Sequence, residues 1–215
     1  MADSWPLLAL AGLGAFHGLN PAMGWLFAVA LGLQRRSRSE VLRALPPIAL
    51  GHGISIAAVV AVVFVLQRIM DVTLLRWAAA AILIGFGLYR LRARHRGGAT
   101  GMQVGFAELT GWSFLMATAH GAGLMLMPVL LHLPGGVGHA THLQEMGPAG
   151  GAASGALAVL VHTVAMLVVA GAVAVVVYQW VGLAFLRRGW INVDLVWALA
   201  LIAAGLLLLA PVLID

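Results

Sequence analysis

An uncharged stretch runs over residues 154–181, SGALAVLVHTVAMLVVAGAVAVVVYQWV, with no Asp, Glu, Lys or Arg. A run of about 20 apolar residues is long enough to cross a bilayer as an α-helix. This run is apolar on every side, whereas a transmembrane strand alternates apolar and polar residues. The stretch therefore predicts a membrane-spanning helix that carries one histidine, His162.

Comparable apolar runs recur on both sides of this stretch. They cover residues 7–33, 45–66, 74–91, 109–131 and 191–213. The whole chain is 62% hydrophobic and 9% charged, whereas a soluble domain has about 25% charged residues. We therefore predict an all-α polytopic membrane protein with six transmembrane helices, and exclude a cytosolic enzyme, a nucleic-acid-binding domain and a disordered chain.

The missing residue types exclude further chemistry. The chain has no Cys, so disulfides, thiolate metal sites and dithiol redox reactions are excluded. It also has no Lys, since all the basic residues other than His are Arg, and this excludes Schiff-base chemistry. No strand is available for a nucleotide fold, and we expect no nucleotide, flavin or haem.

The arginines predict the orientation. Ten of the 12 fall in or beside the first, third and fifth connectors: Arg35, Arg36, Arg38, Arg43, Arg90, Arg92, Arg94, Arg96, Arg187 and Arg188. Cytoplasmic loops carry an excess of Arg and Lys. The chain is thus predicted to lie in a bacterial-type inner membrane with both termini and the connector 132–151 outside.

The two halves, residues 1–96 and 97–215, show the same landmarks in the same order. The matched features are His17-Gly18 with His120-Gly121, His52 with His162, and Trp77 with Trp197. Each half has three predicted spans, so the second half must enter the membrane from the opposite side. This predicts two inverted three-helix repeats, an arrangement that secondary transporters use to bind cargo at the midplane.

Four histidines, His17, His52, His120 and His162, fall inside the apolar runs. Ionisable groups at membrane depth are costly and usually face a bundle interior or a wet cavity. Imidazole binds transition metals and also titrates near neutral pH. We therefore predict that the four converge on a transition-metal site, a proton relay, or both.

Other polar and sulfur-containing side chains are candidates for contacts with cargo. They are Asn20, Ser55, Met125 and Met127. Asn20 lies three residues after His17, on the same helical face, and Pro21 removes a backbone donor. We therefore expect the first span to be tilted, kinked or broken at Asn20-Pro21.

The outer connector, residues 132–151, supplies a second set of candidate ligands. They are His132, His139, His142 and Glu145. A His-rich tract can collect metal before or after transport. The alternative is a polar loop with incidental histidines.

The predicted six spans, His17-Gly18-Leu19-Asn20-Pro21 in the first and Gly51-His52-Gly53 in the second, resemble the lysine exporter superfamily. Within it, the resemblance is closest to nickel/cobalt efflux proteins and to hydrogenase and urease accessory membrane proteins. It implies a transporter fold with a small cargo. The chain departs from that group at Asn20, where an Asp or a second His is usual, and it lacks the Cys pair of the thiol-electron carriers.

These observations predict an inner-membrane secondary transporter of a small cargo, with a transition-metal ion as the first choice. Two other functions remain open: an intramembrane metalloenzyme held by the same histidines, and an accessory subunit whose histidines only bridge helices. The expected partners are the lipid bilayer and the small ion or molecule transported, with no nucleic acid. Glycine-rich helix faces permit a homodimer without specifying one.

Overall fold

A computed structural model describes residues 5–66, 69–92, 105–130, 140–181 and 193–214. The helices are α1 (Trp5–Leu19), α2 (Trp25–Gln34), α3 (Arg38–Leu66), α4 (Val72–Arg92), α5 (Phe106–Ala119), α6 (Ala122–Met125), α7 (Met127–Leu130), α8 (Ala140–Val176) and α9 (Val193–Ile214). A 3-10 turn, Pro21–Met23, precedes α2, and a π-helical turn, Val177–Val181, follows α8. No strand occurs in these ranges, which confirms the all-α prediction for them.

Three helical segments are long and apolar enough to cross a membrane: Arg38–Leu66, Thr73–Arg92 and Ala152–Trp180. Three shorter apolar helices are Trp5–Leu19, Trp25–Gln34 and Leu195–Ala210. Large apolar side chains are exposed along the helices, including Leu8 at 70% and Val168 at 64%. Soluble proteins rarely expose extensive apolar surface, so the architecture is compatible with a membrane protein.

The chain divides into two compact units. The first comprises Met1–Ser55, Val104–Ala119 and Val159–Ile191, and the second comprises Ile56–Gln103, His120–Ala158 and Asn192–Asp215. Each unit therefore takes segments from both halves of the sequence. Helices α3 and α8 each contribute one part to each unit.

Helix α1 lies directly against α8 in the first unit. A Cβ on Gly14 would overlap the carbonyl oxygen of His162, and one on Gly18 would lie 2.5 Å from the carbonyl oxygen of Met166. The contact advances in the same direction along both helices, so they run parallel. Small residues are what allow membrane helices to approach this closely.

Helices α3 and α5 form a second close pair in this unit. The pair is parallel, because the contact of Ser55 with Thr118 lies one turn beyond the contact of Gly51 with Phe114 on both helices. A Cβ on Gly51 would overlap the carbonyl oxygen of Thr110. The Ser113 hydroxyl donates to the carbonyl oxygen of Ile48 at 2.7 Å, which supplies a buried interhelical hydrogen bond. The neighbouring apolar core includes Trp25, Val29, Ile48 and Met166.

In the second unit, α4 packs against α9. A Cβ on Gly87 would lie 2.7 Å from Ile202, and one on Gly205 would lie 2.7 Å from Ile84. The contact moves forward on one helix as it moves back on the other, so this pair is antiparallel.

The first apolar segment is broken between α1 and α2, as the Asn20-Pro21 sequence predicts. The Asn20 side-chain oxygen accepts from the backbone N–H of Ala22 at 3.0 Å and caps the 3-10 turn. Gly24 then takes a left-handed conformation with φ of 114°, which a side chain would disfavour. The indole N–H of Trp25 donates to the carbonyl oxygen of Leu19 at 3.1 Å, so the exposed end of α1 is partly satisfied.

Candidate functional site

Three of the four predicted histidines meet in the first unit: His17 from the last turn of α1, His52 from α3 and His162 from α8. We call these side chains the histidine triad. The His17 ring centre lies 4.7 Å from that of His162 and 5.5 Å from that of His52, and the remaining pair is 5.6 Å apart. All three residues are at most 1% exposed. The packing of α1 on α8 described above places His17 and His162 side by side.

One hydrogen bond determines the tautomer of His17. Nδ1 of His17 lies 3.0 Å from the carbonyl oxygen of Leu13. A carbonyl can only accept, so Nδ1 of His17 carries the hydrogen. In the neutral ring, Nε2 of His17 then holds the lone pair, which is the form of imidazole that ligates a metal.

The other two rings retain unused polar atoms. Within the described residues, Nε2 of His52, both ring nitrogens of His162 and Oγ1 of the adjacent Thr163 are buried without a hydrogen-bond partner. Buried polar groups are normally satisfied, so several unsatisfied atoms in one place mark this site as unusual.

The spacing of the rings suits a common ligand, but their orientation does not. Three imidazoles bound to one tetrahedral ion at about 2.1 Å would have ring centres roughly 5 Å apart. His52 and His162 are stacked almost parallel, with an interplanar angle of 7°, and His17 meets both edge-on. Among the residues that the structure describes, no group of three or more His, Cys, Asp or Glu is arranged to hold a metal ion. Coordination by the triad would therefore require the rings to turn.

The fourth predicted histidine, His120, belongs to the second unit. Its Nε2 lies 3.2 Å from Nη2 of Arg90, and its carbonyl oxygen accepts from the indole N–H of Trp197 at 2.8 Å. Since a guanidinium can only donate, Nε2 of His120 accepts. Gly121 follows in a left-handed conformation with φ of 68° and separates α5 from α6. The surroundings of His120 thus fix both its ring and its backbone.

Arg90 lies in the last turn of α4, beside the third connector as predicted, with its guanidinium against His120.

The other candidate residues make contacts of their own. Ser55 lies 2.9 Å from the hydroxyl of Thr118, which in turn donates to the carbonyl of Phe114. Asn20 caps the 3-10 turn and lies beyond the end of α1, so it does not continue the helical face of His17 as the spacing predicted.

Met125 and Met127 are buried in the second unit, in α6 and α7.

The proposed outer-loop ligands cannot be placed. His132 and His139 lie outside the described residues, and the side chains of His142 and Glu145, in the first turns of α8, are not described. Metal capture by this connector stays a prediction.

Three contacts of these sites were not foreseen from the sequence: Thr163 beside the triad, and Arg90 and Trp197 beside His120. Thr163 could have been found, because it directly follows a histidine in an apolar run. The partners of His120 depend on which helices pack together, which composition does not reveal.

Comparisons with protein-family models, with curated proteins and with solved structures gave no match to this chain. Its function must therefore be argued from the site itself.

Proposed function

We propose that this chain is a multi-pass inner-membrane protein built from two inverted three-helix repeats, with both termini outside. Its first and fourth apolar segments are both interrupted just after a histidine, beyond His17 and at His120-Gly121. An axis that exchanges the two repeats would exchange the α1–α8 contact with the α5–α3 contact. It would map the antiparallel α4–α9 contact onto itself. The described contacts thus agree with such an axis.

Within this architecture, we propose secondary transport of a transition-metal ion bound by the histidine triad. The observation that carries the proposal is the group of three buried imidazoles with unsatisfied nitrogens on His52 and His162. Ionisable groups at membrane depth tend to serve function. The resemblance to the lysine exporter superfamily supports the same function.

The proposed ligands are Nε2 of His17, Nε2 of His52 and one ring nitrogen of His162. Rotation of the stacked pair would aim these atoms at a shared point, and a fourth position would stay open for water or for ligand exchange. Open coordination suits a cargo that must leave again, whereas closed four-ligand sites hold structural metals. Because a metal binds only the neutral ring, affinity would fall as protons compete at low pH.

Metal titration of the purified protein in nanodiscs tests this proposal. Zn²⁺, Ni²⁺, Co²⁺ and Cu⁺ are added separately at neutral pH to a background variant. In it, His132, His139 and His142 are replaced by Ala and Glu145 by Gln, so that the candidate ligands of the outer connector are removed. We expect saturable binding of one ion per chain, and loss of that binding in His52→Asn and His162→Asn.

The His120→Asn variant is the matched control and should still bind. Size-exclusion profiles and thermal unfolding identify variants that fail to fold. Absence of saturable binding in the background variant, or equal binding in the folded His52→Asn protein, would refute the metal proposal. Loss of stability without loss of binding would indicate an accessory subunit with structural histidines.

Transport itself is measured in proteoliposomes with a metal-sensitive dye inside. Movement of the bound ion across the vesicle membrane, absent in the His162→Asn variant, is the expected result. Tight binding without movement would favour the intramembrane metalloenzyme.

A further inference from the structure

A separate cavity of about 400 Å³ lies in the first unit, and none of the three triad histidines lines it. It is formed where α2 ends, α3 begins and α5 begins. Its apolar lining includes Leu31, Ala44, Pro47, Phe106 and Leu109. Its charged lining consists of Arg35, Glu40 and Arg43. One cavity thus combines an apolar floor with an ionic rim.

Glu40 organises that rim by bridging two guanidinium groups. One carboxylate oxygen accepts from Arg35 at 2.5 Å and the other accepts from Arg43 at 2.8 Å. Each of these bonds uses one of the five N–H donors of its guanidinium. The remaining donors of both arginines make no further hydrogen bond within the described residues. The three side chains together keep one net positive charge.

The rim therefore favours an anion with several acceptor oxygens. A phosphate group fits the fork of donors that a guanidinium presents. A metal cation is disfavoured there, because Glu40, the carboxylate in the described part of the lining, already has both oxygens engaged by arginine. The floor favours a ligand that also carries a hydrocarbon chain.

We propose that this cavity binds an anionic phospholipid, with its phosphate on Arg35 and Arg43 and the start of an acyl chain on Leu31, Phe106 and Leu109. Both arginines lie in residues 35–43, the basic stretch predicted to be cytoplasmic, and anionic lipids give that leaflet its negative surface potential. Basic pockets between helices on this side are suited to such headgroups. The site does not depend on metal transport by the triad.

Lipid titration tests the proposal. The protein is purified in a neutral detergent and mixed with short-chain phosphatidylglycerol, short-chain phosphatidylcholine or inorganic phosphate, and bound lipid is counted by native mass spectrometry. We expect saturable binding of phosphatidylglycerol. Replacing Arg35 and Arg43 with Gln should weaken it by about fivefold each, from the usual contribution of a basic residue near an anionic lipid surface.

Arg38→Gln is the matched control, because Arg38 lies in the same basic stretch, residues 35–43, but does not line the cavity. Phe106→Ser, at a residue that is 59% exposed, removes part of the apolar floor with little risk to folding. It should weaken phosphatidylglycerol binding and leave phosphate binding unchanged. Three results would each overturn the proposal. They are phosphatidylcholine binding as tightly as phosphatidylglycerol, Arg38→Gln weakening binding as much as Arg35→Gln or Arg43→Gln, and binding of phosphate but not of phosphatidylglycerol.

Discussion

The histidine triad and His120 show two ways of burying imidazole in an apolar helical protein. In the second unit, Arg90 donates to Nε2 of His120, and Trp197 donates to its carbonyl oxygen. In the first unit, the rings of His52 and His162 contact one another while three of their nitrogens lack hydrogen-bond partners.

The difference separates a structural role from a chemical one. A ring whose acceptor is already engaged by a guanidinium has little capacity left for another ligand. Rings that keep their lone pairs carry a desolvation cost of about 1–3 kcal/mol for each unsatisfied group. A bound ion or proton could recover part of that cost. This difference is the reason for proposing metal binding at the triad and a structural role for His120 at the break between α5 and α6.

The largest expected difference is in metal affinity. His52→Asn should weaken binding by more than about 100-fold, because loss of even an outer-shell partner costs about 10–100-fold. His120→Asn should leave affinity within about twofold and lower the apparent melting temperature. Isothermal titration and thermal unfolding of the two variants make the comparison. A similar loss of metal affinity in His52→Asn and His120→Asn would contradict the proposed difference between the triad and His120.

The next effect concerns the helix contact that holds two triad members together. Gly14→Val places a side chain where the carbonyl of His162 lies and should destabilise the protein by about 1–3 kcal/mol through overpacking. Gly12→Val, on the same helix but facing open space, should change stability by less than about 0.5 kcal/mol. Unfolding in detergent measures both. Equal effects would show that α1 does not lie against α8 at this point.

A smaller effect is expected at the support of His120. Trp197→Phe removes the indole N–H that binds the His120 carbonyl and should cost about 0.6–1.7 kcal/mol, the range for polar contacts between membrane helices. Trp77→Phe, at a residue that is 45% exposed, is the matched control and should be neutral. Thermal unfolding of the two variants is the measurement. If Trp197→Phe left thermal stability unchanged, the interpretation that this hydrogen bond supports the backbone at His120 would be wrong.

The smallest effect concerns pH. Hydrogen bonds from Arg35 and Arg43 hold the pKa of Glu40 below its ordinary value of 4.5. The ion pairs therefore contribute stability above that value, and this contribution is lost as pH falls through the lowered pKa. The contribution of Glu40 to stability should therefore not change between pH 5 and 8. Competition between protons and metal at the triad would appear in that range.

Melting curves of the native chain and Glu40→Gln, recorded from pH 3 to 8, make this visible. The two curves should keep a constant separation above pH 5 and converge only in acid. A separation that changes near pH 6.5 would mean that Glu40 contributes to pH effects otherwise assigned to histidine.

The helical class and the break at Asn20-Pro21 could be read from the sequence, because long uncharged runs and proline act locally. The meeting of His17, His52 and His162 could be anticipated only as part of a larger set. His120 was predicted to join them because the two halves of the sequence match, and that part stays a prediction. Trp77 and Trp197 show that matched positions of the two halves can differ in their surroundings, since the first is 45% exposed and the second is 1% exposed.

The contact of Gly14 and Gly18 with α8 also limits how the protein can move. With backbone resting on backbone, α1 cannot rotate or slide past α8 without a collision, so His17 and His162 must travel as one rigid pair. Opening of the triad would then require displacement of His52, or bending at the break between Leu19 and Gly24. If the chain transports as proposed, a crosslink that fixes α1 to α8 should leave transport intact, whereas one that fixes α3 to α8 should abolish it.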